Sequence, residues 1–219
     1  TGKSSYNLGM MGHNFYIEEA RFRYYLQHNK APKSIILSLD YESLQRRADL
    51  FNHTQFVAYL HDPIIAQATK QYEGFSRYDY HIPLLKYVGE QTLIFSLFRN
   101  YLHPEKNIPD RVNGFYARDG NWNEEVDKTL DTLKPYKVFP DSLSLSAFKH
   151  FLQYCNHQKI QLILVHTPVH PLGQEKVLNR QQIIRQYQDV AKEWALPFLD
   201  YAQDTMCNNQ SFFMNSTHL

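Results

Sequence analysis

Apolar positions along this chain follow two rhythms. Short unbroken runs, Ser34-Ile35-Ile36-Leu37-Ser38-Leu39, Gln161 to Val165 and Pro197-Phe198-Leu199-Asp200-Tyr201, have the length of buried parallel strands. Other stretches repeat at three- and four-residue spacing. Pro140, Asp141 and Ser142 open one of these, with Leu145, Phe148, Phe151, Leu152 and Cys155 on a single helical face; Ile183, Ile184, Tyr187, Val190, Ala191 and Trp194 form another. At the start, Ser5 to Gly12 reads as a short strand running into a turn. Asn14 follows as a helix cap, with Glu18 and Glu19 in the first turn of a helix to about His28. Strands alternating with amphipathic helices predict an α/β fold of three layers, α/β/α, around a parallel sheet.

Residues 41–137 interrupt this alternation and are too many for a structureless loop. They predict helical turns around Phe51 to Ala68, a longer helix from about Ile82 to Leu102, and an irregular aromatic segment from Asn113 to Trp122. An insertion leaving the carboxyl end of a strand in an open α/β sheet stands where ligands bind, which makes it a candidate lid. Read as surface decoration, it would carry no function. The 219 residues otherwise suit a single domain.

Charge and composition narrow the partners. With 23 Lys and Arg against 22 Asp and Glu, the formal charge of +1 gives no electrostatic reason for nucleic-acid binding. Aromatic residues make up 15% of the chain and include 16 Tyr, which suits a carbohydrate or peptide cleft as well as an ordinary core. Cys155 and Cys207 are too few for a disulfide scaffold or a paired-cysteine metal site, although one bridge between them is compatible with the count. No apolar run reaches the roughly 18 to 20 residues of a membrane span. The chain starts without Met and stops at Leu219, where a helix would be expected to follow, as if cut from something longer.

In an open parallel sheet, chemistry gathers in the loops after the strands. Gly9 and Gly12, ahead of a helix, could turn backbone N–H groups toward an oxyanion, or serve backbone geometry alone. Asp40 ends a strand and could act as base, ligand or cap for residues 43–46. His166 and His170 are four apart, but Pro168 and Pro171 make a loop of that segment and disfavour a helical metal pair. His218 stands three residues after Asn215, behind the apolar anchor Phe212-Phe213-Met214. A short turn would present both side chains together, and an imidazole oriented by a carboxamide is a means of deprotonating a hydroxyl nucleophile.

Asn7 to Gly12, Ile35 to Asp40, Leu162 to Pro168 and Asn215 to Leu219, in this order, resemble the SGNH (GDSL-like) hydrolase superfamily. The resemblance is to its extracytoplasmic bacterial branch, related to polysaccharide O-acetylation and teichoic-acid alanylation proteins. It implies a flavodoxin-like sheet with residues 41–137 inserted after the third family strand. It further implies a serine esterase or O-acyltransferase acting, without a cofactor or metal, on an acylated cell-surface glycan or a small ester. The family's serine follows the first strand in a Gly-Asp-Ser or Gly-Ser-Ser element that this chain lacks, so the resemblance puts first strand and nucleophile ahead of Thr1. His218 would be the base, Asn215 its orienting partner, and Gly9 or Gly12 the oxyanion donor. Tyr116, Trp122 and His166 would face the substrate. An extracytoplasmic or periplasmic site is implied, with room for a membrane anchor upstream.

Two departures matter. The family's Asp-x-x-His is here Asn215-Ser216-Thr217-His218, and an Asp-to-Asn change in a serine-protease triad costs about 10⁴ in turnover by selecting the wrong tautomer. Asp40 also stands where the family's third block brings an oxyanion-hole Asn. Both motivate an alternative, a catalytically inactive relative that binds a glycan or a partner. A metal-dependent hydrolase using Asp40, His166 and His218 is a lesser reading.

Overall fold

The computed structural model describes residues 4–10, 12–82, 84–103, 112–115 and 120–218. Packing divides the chain into two compact units, Thr1–Asn29 with Arg47–Ala117, and Lys30–Arg46 with Arg118–Leu219.

In the first unit, helix α1 (Phe15–His28) follows Asn14. Its cap differs from expectation: the Asn14 side chain makes no capping bond to α1, and its Oδ1 accepts from the Tyr72 hydroxyl at 2.9 Å. A 3₁₀ segment (His53–Tyr59) precedes α2 (Pro63–Thr69), whose cap is Asp62, accepting from the Ile64 and Ile65 N–H groups. Pro63 fits at the first helical position because no intrahelical bond needs its missing N–H. Ile17 and Ala20 of α1 pack with Leu50, Phe56, Leu60, Ile65, Ala68 and Tyr80 to form the core. The helix expected from Ile82 is shorter: a 3₁₀ turn (Leu85–Tyr87) is broken at Gly89, φ +92°, before α3 (Gln91–Leu102). Residues 4–10 form no strand. Asn7 instead folds its side chain onto the Gly9 N–H at 2.8 Å, and its own N–H reaches the Asn113 carbonyl.

The second unit holds the sheet. Its elements are β1 (Ser34–Ser38), α4 (Glu124–Thr132), α5 (Ser142–His157), β2 (Gln161–His166), α6 (Pro171–Lys176), α7 (Arg180–Glu193) and β3 (Phe198–Asp200). The strands are parallel in the order β1-β2-β3, with Ile35 beside Leu162, Leu37 beside Leu164 and His166 beside Asp200. The α/β class with a parallel sheet is therefore as the pattern predicts. Because strand side chains alternate, the register puts Leu162, Leu164 and His166 on one sheet face, all buried, while Ile36 on the opposite face is 73% exposed. Phe148, Phe151 and Leu152 of α5 and Ile183, Tyr187 and Ala191 of α7 are buried as their spacing requires. Asp141 caps α5 through the Ser144 N–H at 3.1 Å. Cys155 and Cys207 are both free thiols and buried, and burial pushes the Cys155 thiol up to about 12. Among the described residues, no helix is long and apolar enough to cross a membrane.

Candidate active site

The Asn215–His218 turn is closed by its own polar groups. The Met214 N–H donates to the His218 carbonyl at 2.8 Å, forming a one-pair bridge between the two ends. Inside it, Asn215 Oδ1 faces four donors: the Thr217 N–H at 3.0 Å, the His218 N–H at 3.0 Å, the Thr217 hydroxyl at 3.1 Å and His218 Nδ1 at 2.8 Å. Two backbone N–H groups converging on one atom identify it as the carboxamide oxygen, since an NH₂ there would set donor against donor. An oxygen 2.8 Å from Nδ1 in turn requires that nitrogen to carry the proton. The imidazole is thus held with Nδ1 protonated and Nε2 available as acceptor. An Asn that can rotate would present either end; here the turn has chosen.

Distant segments hold this turn in place. The Ser216 carbonyl accepts from the His170 N–H at 3.0 Å, and the Phe213 carbonyl from the Trp122 N–H at 3.1 Å. The Trp122 ring lies 4.6 Å from the His170 ring, which meets Phe213 edge-on at 5.6 Å. Trp122 is fixed by its indole N–H donating to Asp127 Oδ1 at 2.6 Å. Two glycines allow the close approach. A Cβ at Gly173 would come within 2.9 Å of both Cβ and the carbonyl oxygen of Ser216, and one at Gly120 within 2.4 Å of Met214 Cγ. Burial lowers the His170 pKa, opposed by the Asp127 charge, and its Nδ1 accepts from the Leu172 N–H as the cap of α6.

Of the residues expected in the site, Asn215, His218 and, through Phe213, Trp122 are brought together. His170, Gly120 and Gly173 were not singled out for this role; a glycine beside Pro171-Leu172 and another before Trp122 were the only cues. Gly9 is not available as an oxyanion donor, because its N–H is already given to Asn7. Gly12 has φ +73°, and a Cβ there would lie 2.6 Å from the Phe51 ring, so geometry and space alone account for its glycine. Both glycines belong to the first unit, and the His218 turn to the second.

Asp40 caps no helix. Residues 41–46 are turns and an isolated bridge, the Asp40 N–H donates to Ser43 Oγ, and Thr167 Oγ1 donates to Asp40 Oδ1 at 3.3 Å. His166, expected to face substrate, is fully buried. Its Nδ1 lies 2.7 Å from the Leu39 carbonyl, its ring is 4.6 Å from that of Tyr41, and its Nε2 has no hydrogen-bond partner among the described residues. A strand-end histidine reads the same in sequence whether it points to solvent or to the core; the β2 register sends this one inward. Tyr116 lies outside the described residues. Among the described residues, no group of three His, Cys, Asp or Glu side chains stands close enough to hold a metal, so Asp40, His166 and His218 are not assembled as ligands.

Fold and turn together define an α/β protein with a parallel sheet and a tautomer-fixed Asn–His pair after its last strand. No family model, curated protein or solved structure matches the chain.

Proposed function

We propose that the protein is an SGNH-type serine esterase or O-acyltransferase acting on an acylated cell-surface glycan or a similar polymer, with His218 as general base. The observation that supports this reading is the 2.8 Å contact between Asn215 Oδ1 and His218 Nδ1, in a turn whose backbone fixes the carboxamide orientation. A base must offer a lone pair, and this contact leaves it on Nε2 of an exposed ring. In the proposed reaction a serine hydroxyl, carried ahead of Thr1 as the family resemblance implies, attacks the acyl carbonyl and gives its proton to Nε2. The imidazolium returns that proton to the departing alkoxide. The acyl group then passes to water in an esterase, or to an acceptor hydroxyl in a transferase, with Nε2 again taking and returning a proton.

The test is the full-length protein with p-nitrophenyl acetate and a serine-directed fluorophosphonate. Hydrolysis and labelling, both lost in His218→Ala, are expected; neither activity in the folded wild type would overturn the reading. A second reading, a non-catalytic glycan-binding relative, draws on the missing carboxylate at Asn215 and on the spent N–H of Gly9. It requires glycan binding that His218→Ala leaves unchanged, together with no hydrolysis.

A further inference from the structure

A groove of about 310 Å³ is lined by Gln174 of α6, by residues of α7 and by the segment after β3. It continues into a second hollow of about 230 Å³, sharing Gln174, Arg180, Ala202 and Gln203 with it. Gly173 faces Ser216, while its neighbour Gln174 lines this groove. The groove owes nothing to the reading of His218 as a base.

Three groups in it keep hydrogen-bonding or charge capacity to spare. Gln174 is 7% exposed, and its Nε2 gives both hydrogens to backbone carbonyls, to Val169 at 2.7 Å and Ala202 at 2.8 Å. That fixes the carboxamide and leaves Oε1 as the acceptor it offers to the groove. Tyr41 is 6% exposed, its hydroxyl makes no hydrogen bond among the described residues, and the charges it senses, Arg180 and Asp200, are groove residues. Burial pushes that phenol up to about 12, so it is a neutral donor at physiological pH. Arg180 is half-buried and, among the described residues, forms no ion pair, as is true of Arg185 at the same groove. Of the acids along the groove and the hollow, Asp200 accepts from the Ala202 N–H and Asp204 from the Met206 N–H, both at 2.9 Å, while Glu175 is exposed at the hollow and is not among the residues lining the groove. An unpaired guanidinium suits a carboxylate, and a fixed acceptor beside a phenolic donor suits vicinal hydroxyls. The volume is that of a small-ligand site.

We propose that this groove binds a carboxylate-bearing monosaccharide unit, with Arg180 pairing the carboxylate and Tyr41 and Gln174 taking ring hydroxyls. The test is calorimetric titration of the chain with sodium glucuronate, and in parallel with glucose and with inorganic phosphate. Glucuronate is expected to bind, with glucose and phosphate each at least about tenfold weaker. Arg180→Met should weaken glucuronate by about tenfold or more, and Tyr41→Phe, which keeps the ring on His166, by roughly fivefold. Absence of glucuronate binding, or equal affinity for glucose or for phosphate, would overturn the assignment. If Arg180→Met fails to fold, Tyr41→Phe decides alone: unchanged glucuronate affinity in that variant, with its fold intact by circular dichroism, would also overturn it.

Discussion

Gly173→Ala tests whether α6 holds the His218 turn in place. The added methyl would meet the Ser216 Cβ and carbonyl oxygen at 2.9 Å each, and Ser216 Oγ at 3.2 Å. Rotating Oγ away relieves only the last contact. The carbonyl is backbone and is tied to the His170 N–H at 3.0 Å, so separating it from the methyl means stretching that bond or moving the turn. Alanine is worth about 0.5–1 kcal/mol over glycine inside a helix. Overpacking costs roughly 1–3 kcal/mol. The clash should prevail, giving a net destabilisation of about 1–2 kcal/mol, or a fall in melting temperature of roughly 2–4 °C per kcal/mol for a chain of this size. Urea denaturation gives the first number, and the His218 ring signals in an NMR spectrum report whether the turn has moved. Displacement by a fraction of an ångström should also lower p-nitrophenyl acetate turnover by about tenfold in the full-length protein. If the variant gains stability by the helix-propensity increment and the His218 signals stay where they were, α6 does not position the turn.

Asn215→Leu removes the acceptor shared by two backbone N–H groups and the imidazole; it should lower turnover by about 10² or more, whereas Asn215→Asp, which keeps every acceptor, should exceed the wild type in the same assay. His13 makes stability fall in mild acid: burial first, then Arg47, lowers its pKa from 6.5 to about 4, and Gln55 Nε2 already donates to its Nε2. The unfolded chain therefore binds a proton that the folded one refuses, so the contribution is intact above pH 6.5 and lost as pH falls toward 4. After allowance for solvent screening at a partly exposed ring this is about 1–2 kcal/mol, absent in His13→Gln and measurable by urea melts across that range. Thr69→Val should cost about 1–2 kcal/mol, because the buried Thr69 Oγ1 receives the Tyr80 hydroxyl at 3.2 Å, and adding Tyr80→Phe should recover part of the loss.

Elements whose own side chains carry a periodic signal were legible. β1, β2 and β3 are apolar runs, and α5 and α7 bury the residues their spacing marks out. Elements that depend on neighbours were not. Residues 5–12 have strand-like composition, but residues 5–10 have no ladder partner among the described residues, and Asn7 turns its side chain onto Gly9 instead. Helix α4 has only Val126 and Leu130 as apolar residues, so its evidence was the cap: Asn123 Oδ1 accepts from the Glu125 and Val126 N–H groups. Helix α6 was hidden because Pro168 and Pro171 suggested a loop, although proline at the first helical position starts a helix as readily as it ends one. In the site, the three-residue spacing of Asn215 and His218 was local and therefore visible. Gly120, Trp122, His170 and Gly173 lie tens of residues away, and only the fold brings them to the turn.

The carboxamide at 215 now has a different meaning from the one its identity alone conveys. An Asp-to-Asn change costs about 10⁴ in a serine-protease triad because the amide can present its NH₂ and force the imidazole into the wrong tautomer. Here the Thr217 and His218 N–H groups exclude that orientation, so the tautomer required of a base is kept without a carboxylate. What remains missing is the attraction between a full negative charge and the imidazolium. At the surface, in water, two unit charges near 3 Å interact by about 1.4 kcal/mol, close to tenfold in rate. For the proposed base, the Asn should therefore lower turnover by about one order of magnitude rather than four, and the ratio of Asn215→Asp to wild-type turnover measures that difference directly. A ratio near 10⁴ would mean that the turn does not hold the carboxamide oxygen on His218.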